Sequence, residues 1–93
     1  MYQSDLPDKF FRVRRHLGLS QENVAMEIGI TAEAYGKIER GKTRITEERL
    51  HQIASIFGIE PWQMIQLTAD ELILLLIERK NSAPPPASEQ VSD

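Results

Sequence analysis

Gln21-Glu-Asn-Val-Ala-Met-Glu-Ile-Gly-Ile-Thr-Ala-Glu-Ala-Tyr-Gly-Lys-Ile-Glu-Arg40 holds two short helical patterns on either side of one tight turn. Ser20 stands as an N-cap before the first pattern, whose Val24, Ala25 and Ile28 form an apolar stripe ending at Gly29. Thr31 caps the second, in which Tyr35 and Ile38 face inward before Gly41 stops the helix just past Arg40. Two helices that cross steeply over a turn of about three or four residues make demands at several positions at once. Ala25 is small where the helices approach most closely, and Gly29 can take the positive φ of the turn. Val24, Ile28, Ile30, Tyr35 and Ile38 fill the slots that face a core.

The flanking sequence adds helices and no strands. Phe10, Val13 and Leu17 recur at i, i+3, i+7, which predicts a first amphipathic helix over residues 7–16, with Arg12, Arg14 and Arg15 on its other faces and Gly18 as its stop. After a polar loop over residues 42–45, Thr46 caps a fourth helix carrying Leu50, Ile53, Ala54 and Phe57, closed by Gly58; Glu47 and Glu48 suit its dipole. Pro61 starts a short fifth helix through Ile65, and Thr68-Ala-Asp-Glu71 is a capping box for a sixth that runs to about Lys80. From Asn81 the Pro-rich, apolar-poor sequence predicts a flexible, disordered tail. No internal repeat and no long period-2 alternation is present, so the expected class is all-α.

Ninety-three residues of 10.6 kDa leave room for one small domain and no separate catalytic one. The absence of Cys removes disulfides, thiolate metal sites and cysteine nucleophiles. The opening Met-Tyr-Gln-Ser-Asp-Leu-Pro-Asp has neither the basic start nor the apolar run of a secretory signal, so a cytoplasmic protein is expected. The longest apolar run, residues 72–77, is far short of the roughly 20 residues that span a bilayer. The net charge of −3 is unevenly spread: both ends are acidic, whereas residues 9–66 carry nine bases against seven acids. Within that middle, Lys37, Arg40, Lys42 and Arg44 face only Glu39, a local charge of +3 that could meet a phosphate backbone or stand as solvated surface.

Leu-Gly-Leu-Ser-Gln-Glu-Asn-Val-Ala, then Gly-Ile-Thr, then Ile-Glu-Arg-Gly-Lys resembles the Cro/repressor-type (XRE) helix-turn-helix family of DNA-binding transcriptional regulators over about residues 9–65. The resemblance implies a compact five-helix repressor-like domain whose third helix lies in the DNA major groove. It further implies that Gln21, at the start of the second helix, touches a phosphate and an outer base, with backbone amides helping. The groove-facing positions fall on Thr31, Ala32, Glu33 and Ala34, with Lys37 one turn on. Ala32, Glu33, Ala34 and Lys37 are the expected base readers: Lys37 toward guanine, Glu33 toward a cytosine amine, either alanine against a thymine methyl. Gln21, Thr31, Arg40, Lys42, Thr43 and Arg44 are the expected phosphate contacts. Glu33 equally suits the first-turn dipole, and Lys37 equally suits a plain surface position. Arg14 and Glu39 match a structural ion pair with which the family ties the first helix to the third.

Two residues depart from the family pattern. Gly36 lies inside the reading helix, where it costs about 1 kcal/mol relative to Ala; either a close approach requires it or it is merely tolerated. Trp62 stands where the family usually has a polar residue, and Pro61 where an apolar one is common, so Trp62 is expected to be covered by the sixth helix or a partner subunit. Residues 72–77 put apolar surface on every face of a helix, more than one small core can cover. A homodimer is therefore expected, formed by Trp62, Leu72, Ile73, Leu75, Leu76 and Ile77, on a palindromic operator with half-sites about 34 Å apart. The corresponding division is 1–66 for the DNA-binding domain, 67–80 for a dimerising C-terminal helix and 81–93 for the tail.

An enzyme is not expected, because His16 and His51 sit on different helices without a carboxylate spaced for a triad or a metal site; no cofactor, metal or catalytic residue is assigned. The rival class is an interaction protein, antitoxin-like, that takes a protein partner through residues 66–93 and autoregulates through the DNA-binding domain. RNA is less favoured, since no aromatic pair suggests base stacking. The reading is a non-enzymatic regulator of double-stranded DNA, with repression by operator occupancy the expected sign.

Overall fold

A computed structural model describes residues 5–81. Six helices follow one another: α1 (Leu6–His16), α2 (Gln21–Ile28), α3 (Ala32–Glu39), α4 (Glu47–Phe57), α5 (Pro61–Gln66) and α6 (Ala69–Asn81). Among the described residues there is no strand, and the all-α class holds. The expected tail begins at the last residue of α6 and otherwise lies outside the described residues.

Local chemistry sets most helix ends. Ser20 Oγ accepts from the Asn23 amide while Asn23 Oδ1 accepts from the Ser20 amide, a reciprocal box that fixes the start of α2. Thr31 and Thr46 cap α3 and α4 through single bonds to the amides of Ala34 and Arg49. Thr68 and Glu71 exchange both bonds of the capping box expected for α6. Between α2 and α3 the chain turns at Gly29, whose φ of 76° leaves Ile30 N–H free to bond Ala25 O at 3.0 Å.

α1 is the central element, packed against α3, α4, α5 and α6, while α2 rests on α3 and α4. Leu6, Phe10, Val13, Val24, Tyr35, Ile53, Met64 and Leu72 are the largest fully buried side chains, and Phe10 meets Phe57 edge-on with ring centroids 6.5 Å apart. Burying each is worth roughly 1.5–3 kcal/mol relative to exposure. Lys9 is buried with them: its ammonium donates to the carbonyls of Met64 at 2.8 Å and Ile65 at 3.2 Å. A cation thereby closes the carbonyl end of α5 from the neighbouring helix.

Three expectations change. Leu17 is 38% exposed, because α1 ends at His16 and the turn through Gly18 sends Leu19 against the core in its place. Ile45 is buried although its loop reads as polar. α6 packs along α1, pinned by the Arg12–Asp70 ion pair at its start and by Arg79, which donates to Gly58 O at 2.6 Å, near its end. It does not cover Trp62, which is 58% exposed.

Candidate nucleic-acid interface

Arg14 joins Glu39 through Nε to Oε2 at 2.6 Å and Nη2 to Oε1 at 3.0 Å, while its Nη1 donates to Leu19 O at 2.9 Å. Both side chains are almost fully buried. Gln21 completes the cluster by donating from Nε2 to Glu39 Oε1 at 3.0 Å, so α1, α2 and α3 meet on one carboxylate. Burial by itself pushes the Glu39 carboxyl up, but the bonded Arg14 guanidinium, the neighbouring Tyr35 phenol and the bonded Gln21 carboxamide outweigh it and hold the group below its usual pKa. The bond to Glu39 raises the Arg14 guanidinium further against the opposing effect of burial, so the pair is ionised at neutral pH. The Tyr35 hydroxyl lies buried beside the pair with no hydrogen bond of ordinary geometry, and burial drives its pKa far upward.

This cluster faces inward and fixes α3; the opposite side of α3 is open. Of the expected base readers, Glu33 and Lys37 are exposed while Ala32 and Ala34 are half-buried. Glu33, Ala34 and Lys37 border a concavity of about 490 Å³ whose other wall is Thr43, Arg44, Thr46 and Arg49. Thr31 stands at its rim, with its hydroxyl oxygen occupied by the Ala34 amide. Lys37, Arg44 and Arg49 oppose only Glu33 around this hollow, which leaves it cationic. Eight residues at 1.5 Å each make α3 about 12 Å long, matching a major groove about 12 Å wide.

Gly41, at φ 74°, ends α3: its amide bonds Ile38 O at 3.1 Å and that of Lys42 bonds Lys37 O at 2.9 Å. Lys42 is exposed just past this turn, outside the concavity. Gln21, Ala32 and Arg40 also lie off it. Gln21 is half-buried with its carboxamide turned toward Glu39. Arg49 was not among the residues expected from sequence. Its place one turn into α4, three residues after the Thr46 cap, is the signal that could have pointed to it.

In α6, Leu72 is completely buried against its own chain and is not available to a partner, which removes it from the expected dimer surface. Ile73, Leu75 and Leu76 are partly buried, whereas Leu74, absent from that expected set, is 52% exposed and Ile77 is 40% exposed. Among the described residues no group of His, Asp or Glu could hold a metal ion, and no helix is long and apolar enough to cross a membrane. A helix-turn-helix family model matches residues 11–61, from within α1 to the first residue of α5. No curated protein and no solved structure matches the chain.

Proposed function

Because the chain belongs to the XRE-type helix-turn-helix family of DNA-binding transcriptional regulators, we propose that it is a non-enzymatic, cytoplasmic repressor acting as a homodimer on a palindromic operator. The observation that carries this reading is the cationic concavity along the outer side of α3, where Glu33, Ala34 and Lys37 share one hollow with Thr43 and Arg44. In this reading Ala32, Glu33, Ala34 and Lys37 meet base edges. Gln21, Thr31, Arg40, Lys42, Thr43 and Arg44, joined by Arg49, follow the phosphates.

Dimerisation would use exposed apolar side chains of the C-terminal helices, Trp62, Leu74 and Ile77, flanked by Ile73, Leu75 and Leu76. We accordingly assign residues 1–66 to DNA binding, 67–80 to a dimerising helix and 81–93 to a tail. The same exposed face supports a second reading, in which an antitoxin-like chain offers α6 to a different protein and autoregulates through α3.

Selection of bound duplexes from a randomised library at physiological salt tests the proposal. The expected result is a palindrome with half-site centres about 10 bp apart. Enrichment of a single, asymmetric half-site would overturn the homodimer, and no enrichment would overturn sequence-specific reading.

A further inference from the structure

Gly36 sits in the middle of α3, where glycine is the poorest helix former after proline, yet it is buried. The atoms nearest to where its side chain would be belong to no core residue. A Cβ built at this position would lie 3.1 Å from Arg40 Nη1, 3.5 Å from Gln21 Oε1 and 3.7 Å from Gln21 Nε2. The backbone is ordinary helix, so the residue is not required for its φ. What its missing side chain provides is a notch, into which the guanidinium from the end of α3 and the carboxamide from the start of α2 both reach.

We propose that Gly36 is a positioning residue for DNA binding: the notch seats the Arg40 guanidinium beside the Gln21 carboxamide so that the two grip one backbone phosphate at the α2–α3 junction. The proposal rests on the reading of Gln21 and Arg40 as phosphate contacts. Gln21 spends one amide hydrogen on Glu39, which fixes the carboxamide and leaves its second hydrogen as a donor. Arg40, a C-cap residue with an exposed side chain, supplies the charge. A methyl group at position 36 meets the far end of a flexible side chain and no backbone, so the guanidinium gives way by a few tenths of an ångström and the helix stays as it is.

That separation makes the inference testable with G36A, R40A and the double variant, measured for thermal midpoint and for affinity to a mixed-sequence duplex across a salt series. G36A is expected to melt at or above the wild-type temperature, since Ala favours helix. Its affinity should fall about five- to tenfold on every sequence, with the slope of log K against log salt shallower by about one. R40A should show the same loss, and G36A added to R40A should change nothing further. R40A binding like the wild type would overturn the phosphate-contact reading itself. R40A weakened while G36A binds normally would overturn the role of Gly36 alone, as would a G36A variant that melts lower or losses that add in the double variant.

Discussion

The guanidinium of Arg14 and the carboxylate of Glu39 face each other fork to fork, 25 residues apart in sequence, and hold the first helix to the inner side of the third. Pairs of this geometry are favourable only while both members are present, because either one left alone is a buried, uncompensated charge. Arg14→Met or Glu39→Leu singly should each cost about 3–5 kcal/mol in urea denaturation, and the double variant less than the sum. An additive double variant would show that the two do not act as a unit.

Acid should unfold the protein through the same carboxylate. Since the folded pKa of Glu39 lies below its unfolded value, its stabilisation is fully present above the ordinary glutamate range near about 4.3 and is lost as pH falls through the depressed folded value. Unfolding free energy measured between pH 7 and pH 3 should therefore drop steeply at the acid end in the wild type. The drop should be shallower in Glu39→Gln.

Tyr35 gives the opposite limb. Its pKa is raised in the fold, so the associated stability is fully present below the unfolded value near about 10 and is lost as pH rises above it. Tyr35→Phe should flatten that alkaline loss. At neutral pH it should change stability by no more than about 1 kcal/mol, since the hydroxyl it removes makes no hydrogen bond.

Lys9→Met keeps the apolar stem and deletes the ammonium that satisfies two carbonyls of α5. The cost should be about 1–3 kcal/mol by denaturation, the penalty of leaving buried acceptors unpaired. Hydrogen exchange should quicken first in residues 61–66.

On DNA, Lys37→Ala should relax discrimination at one base pair by about 1–3 kcal/mol, whereas Lys42→Ala should weaken matched and mismatched duplexes alike. Lys37 borders the concavity and Lys42 stands outside it, just past the Gly41 turn. Equal losses on both duplexes for Lys37→Ala would remove it from base reading.

The two sides of α6 should respond differently. Leu74→Glu and Ile77→Glu, at exposed positions, should leave the fold intact and convert a dimer to a monomer by sedimentation at tens of micromolar. Leu72→Ala, at a fully buried position, should instead cost about 2–5 kcal/mol of stability. A wild-type monomer at that concentration would refute the dimer.

What could be read from the sequence was whatever neighbouring residues encode. Ser20, Gly29, Thr31 and the Thr68–Glu71 box specify helix ends through bonds spanning a few positions, and the helix-turn-helix is built from such signals. What escaped depends on where distant segments meet. Lys9 looks like a surface base until α5 brings two carbonyls to it, 55 and 56 residues along the chain. Ile45 sits in a loop whose composition says polar and whose path says core. The bond from Gln21 to the buried carboxylate of Glu39 joins residues 18 apart, and neither local pattern marks it. Leu72 is fully buried and Leu74 is 52% exposed, yet an unbroken run of Leu and Ile carries no mark of which one faces the domain.

Within α3, residues Tyr35, Ile38 and Glu39 are committed to the interior, while Glu33 and Lys37 carry no part of the core. One eight-residue helix thus carries two sets of positions, interleaved, one that holds it and one that faces out. Under the proposed function the second can be rewritten without erasing the first. Related regulators could diverge in their operators by substitutions at a few outward positions, with no cost in foldability to slow that divergence.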